Sequence, residues 1–174
     1  MIVLDLLFIL IPVGYFFFES KGDNRKRFKE SLSKLGIKKL EKKDLVKSIE
    51  LLALMIAITL VVVFLGDLFG FQDTEKIAET IMNLRTDYLL LLNLLIITVF
   101  AEEMFFRGLL VKKFGVLAAG LLFGLAHYGY GSITEVFGAA VLGIVLGYYY
   151  KKYDNLFIVY IAHAAYNLFA IFVI

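Results

Sequence analysis

The sequence predicts an all-α protein: a polytopic transmembrane helical bundle of about six spans, with one amphipathic helix on its cytoplasmic surface. Three observations carry this. Of the 174 residues, 61% are hydrophobic and yet 20% are charged, whereas a soluble domain is roughly 45–50% apolar. A soluble chain of this size could not bury so much apolar side chain, because small domains keep much of their surface in water. The charges are segregated from the apolar runs, and the single proline, Pro12, lets long helices run unbroken. Disorder is excluded by the amount there is to bury. With no cysteine in the chain, disulfides, thiolate metal sites and a cysteine nucleophile are excluded too.

Six apolar segments each approach the ~20 residues that cross a bilayer. They are Ile2–Phe18, about Ile49–Leu65, Tyr88 through Leu95 and Phe100 toward Val111, Phe114 to about Tyr128, Ile133–Tyr150, and Leu156–Ile174. The first has Asp5 near its outer end. It lacks a basic n-region and a small-x-small cleavage site, so it reads as a retained span rather than a secretory signal.

Basic residues set the orientation. Glu19–Glu50 holds 11 Lys and Arg; Arg107, Lys112 and Lys113 follow the third span, and Lys151 and Lys152 the fifth. These fall in alternate connections and can all lie on one side. Only Lys76 and Arg85 remain for the other side, beside Asp67, Asp73, Glu75, Glu79 and Asp87. The positive-inside rule makes the first side cytoplasmic and places both termini outside. The chain reads as one integral plasma-membrane domain, 1–174, with a basic loop over 19–50 and a polar-residue-bearing core over 88–174.

Between Asn24 and Gly36, Phe28, Leu32 and Leu35 recur at i, i+4, i+7 among Lys and Arg. This basic amphipathic pattern belongs flat on an anionic leaflet, which accounts for the charge without a nucleic-acid partner. Gly120 and Gly124, and Gly143 and Gly147 with Ala139, form small-residue rows that allow close helix contact.

The informative residues are those that cost energy in hydrocarbon, on the order of 3 kcal/mol for a charge at mid-bilayer. They are Glu102, Glu103 and Arg107 in the third span, His127 in the fourth, Glu135 at the start of the fifth, and His163 with Asn167 in the sixth; Asn93 is an uncharged addition. Glu103 and Arg107 are i, i+4 and can pair. Glu102 is left about 100° away around the helix, which suggests a structural carboxylate beside one available for acid or base work.

The only two histidines, His127 and His163, both interrupt apolar helices. At 1.5 Å per residue, they lie roughly 20 Å and 10 Å from the cytoplasmic end, and Glu102 roughly 13 Å, a layer that neighbouring helices can share. A carboxylate, two imidazoles and an amide make a hydrolytic set. Glu102 and one histidine can deprotonate a water; the other histidine and Asn167 can hold a tetrahedral oxyanion. No Ser or Cys lies in this set, which speaks against a serine or cysteine nucleophile; Ser132 and Thr134 are expected at the opposite membrane face.

The residues Glu102-Glu103-x3-Arg107, Phe123-x3-His127 and His163-x3-Asn167 resemble, in order, spacing and span placement, the three motifs of the CPBP family. That family comprises the type II CAAX prenyl endopeptidases and bacteriocin-processing enzymes. The resemblance covers about Glu102–Asn167. It implies an intramembrane endopeptidase in which Glu102 and His127 activate the water, His163 and Asn167 form the oxyanion hole, and Glu103, Arg107 and Phe123 support the site. It further implies no metal cofactor. Zn²⁺ is chemically possible on one carboxylate and two histidines but is not favoured, since the set spreads over three helices without the compact H-E-x-x-H spacing. The implied partners are the bilayer and a peptide or lipidated protein, with prenylated CAAX-type tails one possibility and the site facing the cytoplasmic side. The chain is shorter than the eukaryotic enzymes before the motifs, so other membrane or secreted peptides stand as substrates beside prenylated tails. The alternatives are a non-catalytic immunity or scaffold component and a proton-linked transporter using the Glu/His set as a relay.

Overall fold

A computed structural model describes residues 2–70 and 75–173. Asp73, and the side chains of Glu75, Lys76 and Glu79, fall outside the described residues. The order of elements is α1 (Ile2–Glu19), α2 (Asn24–Lys34), α3 (Lys42–Leu68), α4 (Glu75–Thr86), α5 (Tyr88–Asn93), α6 (Val99–Glu102), α7 (Lys112–Ala126), α8 (Ile133–Tyr153) and α9 (Leu156–Val173). Two π-helical segments, Leu94–Thr98 and Glu103–Val111, join α5, α6 and α7. No strand occurs among the described residues.

Five helices are long and apolar enough to cross a membrane: Ile2–Glu19, Lys42–Leu68, Tyr88–Gly129, Ile133–Tyr153 and Leu156–Val173. The third is a 42-residue run, about 63 Å if straight and twice the hydrocarbon thickness of about 30 Å. It is not straight. At Gly115 the backbone takes φ 85°, ψ 170°, a conformation glycine alone adopts freely, and the chain turns back. The rings of Phe106 and Phe123 then meet at 5.0 Å, where an unbroken helix would hold them about 25 Å apart. The run is thus a helical hairpin, and its two arms are the expected third and fourth spans.

The basic connections converge at one end of the bundle. Asp154 takes Lys38 at 2.5 Å and Lys112 at 2.7 Å, and Lys113 lies 3.5 Å from Glu19. The Leu156 N–H donates to Gly36 O at 2.8 Å. The chain before α3, the Gly115 turn and the α8–α9 connection therefore share a face, as the alternation of charge requires. Helix α2 starts on Asp23, whose carboxylate accepts from Lys26 N at 2.9 Å. It packs back on α1 as well as facing outward: Arg27 Nε donates to Phe17 O at 3.0 Å. Leu35 is fully buried against Gly108 while Phe28 stays exposed. Only part of the expected amphipathic face is thus left for lipid. The outward surfaces of α1 and α3 are apolar, with Leu4, Ile11, Phe18, Leu60 and Phe64 exposed, as a lipid-facing surface should be.

The glycine rows join α7 to α8. Methyl groups placed on Gly120 and Gly124 would lie 2.7 Å from Ile144 N and 2.6 Å from Ala140 Cβ. The bare backbones meet where any side chain would hold them apart.

Candidate active site

Glu103 lies at the centre of the polar cluster. Its Oε1 accepts from Arg107 Nη1 at 2.8 Å and from His163 Nδ1 at 2.7 Å. Glu103 is 0% and Arg107 1% exposed, so the i, i+4 pair expected from the sequence is sealed from solvent. The bond to His163, reaching from the π-helical segment to α9, has no signal in the sequence. It fixes the ring so that Nδ1 faces Glu103 and Nε2 faces the neighbouring Glu102, whose Oε2 is 4.0 Å away. Glu102 is turned off the Glu103–Arg107 axis, as the helical offset requires.

Phe123 packs among the polar groups. The Arg107 guanidinium sits 4.2 Å above its ring, and the rings of His127 and His163 approach it to 4.6 and 5.8 Å. His127 sits at the end of α7, with Nδ1 2.8 Å from Phe123 O. A ring nitrogen bonded to a carbonyl carries the proton, so Nε2 is the unprotonated nitrogen of the neutral ring. Each histidine thus has its Nδ1 held by the protein, which fixes the orientation of the ring.

A cavity of about 140 Å³ is lined by Glu102, His127, His163 and Asn167 together, with Glu135 and Tyr166 beside them. A neighbouring cavity of about 450 Å³ shares His127, His163, Glu135 and Tyr166 and continues past apolar Met55, Ile58, Leu142 and Leu146. Four residues expected to act together, from three spans, therefore border one space. Tyr166 is held by Thr59 at 2.8 Å. Among the described residues, no three His, Asp or Glu side chains gather closely enough to hold a metal ion.

Thr134 lines the larger cavity with His127 and His163, because the cavity extends from the polar cluster to the bundle end formed by the start of α8. Asp5 is buried and accepts from Thr98 Oγ1 at 3.2 Å. Both cavities also draw on α4, through Ile81. Among the described residues, neither is lined by the basic connections at the other end.

Fold and site together define a helical membrane protein with a buried carboxylate–imidazole cluster opening into a cavity between its helices. Residues 84–169 match the family model described as type II CAAX prenyl endopeptidase Rce1-like. Over these 86 of 174 residues the chain is similar to the CAAX-type intramembrane endopeptidases, a family of peptide hydrolases. The matched segment contains all three motifs and both histidines. No curated protein and no solved structure matches the chain.

Proposed function

We propose that this protein cleaves a peptide bond at the Glu102–His127–His163–Asn167 cluster, using a water activated by the side chains themselves. The observation that carries the reading is that these four residues line one small cavity. At 4.0 Å, Glu102 Oε2 and His163 Nε2 stand beyond direct hydrogen-bond reach of each other, so that Glu102 can take the water while His163 takes the carbonyl oxygen. In this reading Glu102, with His127 Nε2, takes a proton from the water as its oxygen attacks the carbonyl carbon. The carbonyl π electrons move to the oxygen, which His163 Nε2–H and the Asn167 amide stabilise. Donation from both His163 nitrogens requires a doubly protonated ring, whose charge Glu103 balances at 2.7 Å. The proton held by Glu102 then passes to the leaving nitrogen as the C–N bond breaks.

The cavity lining also bears on the side from which substrate arrives. Ile133 at the start of α8 is exposed at the end where Thr134, Glu135 and α4 border the cavity. With the basic end cytoplasmic, this supports access from the opposite side, the reverse of the expected cytoplasmic-side site. Peptides embedded in or exported across the membrane then fit better than lipidated tails presented from the cytoplasm.

The test is cleavage of a membrane-peptide mixture by the protein in lipid nanodiscs. Glu102→Gln abolishes cleavage, and Asn167→Ala lowers kcat about 10²–10³-fold. A zinc chelator leaves the wild-type rate unchanged. Cleavage by the Glu102→Gln protein refutes the assignment, and loss with chelator that added Zn²⁺ restores refutes the metal-free route. Full tolerance of Asn167→Ala points instead to a proton relay.

A further inference from the structure

Glu135 is a carboxylate that neither the fold nor the hydrolytic set accounts for. It stands in the first turn of α8, where its own N–H is held by Ser132 Oγ at 3.0 Å. Its side chain lines both cavities beside His127 and His163. Among the described residues it makes no ion pair and no side-chain hydrogen bond. The site already holds Glu102 and Glu103, and its one buried guanidinium, Arg107, is bonded to Glu103. Arg85 borders the larger cavity from α4, but its Nε is directed to the carbonyl of Ile171. Among the described residues the Glu135 carboxylate therefore faces this space with no cation bonded to it, in surroundings where a lone charge is costly. The partner that relieves this is a cation arriving with the substrate.

We propose that Glu135 is a specificity-determining residue that binds an ammonium or guanidinium group of the peptide, so that the enzyme selects substrates with a positive charge near the scissile bond. The inference rests on the hydrolytic reading of the Glu102 cluster. A carboxylate that only complements the α8 dipole would alter melting and leave substrate choice untouched.

The experiment offers the nanodisc-embedded protein N-acetylated ten-residue peptides of Ala, Leu and Val, each carrying Lys, norleucine or Glu at one scanned position. Products are read by mass spectrometry. A parallel set with free N-termini distinguishes a side-chain cation from a terminal ammonium. In the wild type, Lys outcompetes norleucine about 10- to 100-fold in kcat/KM at one or two positions, or the free-terminus peptides outcompete the acetylated ones by that factor. The ratio falls to about 1 in Glu135→Gln and stays above it in Glu135→Asp, which keeps the charge. No cation preference in the wild type, or one that survives Glu135→Gln, overturns the inference. If Glu102-dependent cleavage shows no such preference, the inference alone fails. If no peptide is cut in a Glu102-dependent way, the hydrolytic reading fails with it.

Discussion

Adjacent glutamates in one span should respond to the same substitution in opposite ways. Glu103→Gln removes the charge that balances Arg107 Nη1 at 2.8 Å and His163 Nδ1 at 2.7 Å. Both Glu103 and Arg107 are cut off from water. Breaking a buried pair from one side strands the other charge, at a cost of about 3–5 kcal/mol. Glu102 is 20% exposed, and its nearest charged partner, His163, is 4.0 Å away. Glu102→Gln should therefore cost under about 1 kcal/mol, in the range of weakly held pairs. Both variants lose activity, Glu102→Gln through the reacting group and Glu103→Gln through the orientation of His163. Equilibrium unfolding in mixed detergent micelles separates them by about 3 kcal/mol, roughly a hundredfold in the folded-to-unfolded ratio. Adding Arg107→Met to Glu103→Gln removes the stranded charge while keeping an apolar contact on Phe123, and recovers most of the loss. Equal destabilisation by the two glutamine variants, or a further loss on adding Arg107→Met, would refute the division of roles.

Gly124→Ala places a methyl 2.6 Å from both Ala140 Cβ and Val136 O, with little there to yield, whereas Gly138→Ala meets its nearest neighbour, in α3, at 3.7 Å. Thermal melting should show a loss of about 1–3 kcal/mol for the first and none for the second. Activity should fall with the first as well, because the same turn carries His127. At Asp154 partial burial pushes the carboxyl up, but hydrogen bonds from Lys112 and Lys38 outweigh it and hold the group below its ordinary value. A lowered folded-state value means stability present above the unfolded value and lost as pH falls through the folded one. Asp154→Asn, which tolerates the φ of +48° there, should cost at most about 1 kcal/mol at pH 7, given its exposure. The difference in melting from wild type should close as pH falls below the ordinary aspartate value of about 3.9 and narrow in high salt. Because the chain lacks cysteine, Ile133→Cys and Lys39→Cys report sidedness cleanly. A membrane-impermeant maleimide added to intact cells should label the first and not the second; the reverse pattern would turn the proposed orientation over.

The membrane class, the spans and the identity of the polar residues are legible in the linear sequence, because a bilayer imposes a one-dimensional rule: each span needs about 20 apolar residues, and every exception is costly enough to stand out. The spacing of Glu103 and Arg107 reports their pairing for the same reason, since a helix fixes its own i, i+4 neighbours. The bond from Glu103 to His163 joins residues 60 positions apart, and no local rule reports it. Nor does any local pattern reveal that Thr134 and Glu135 border the same cavities as the histidines. That depends on how closely glycine lets α7 approach α8, and on where the α3, α8 and α9 surfaces part. The sequence alone thus determined which residues are out of place in a membrane. Only the tertiary packing decided which of them meet, and toward which end of the bundle their cavity extends, because distances between helices are set by side chains that touch across the bundle and not by spacing along the chain.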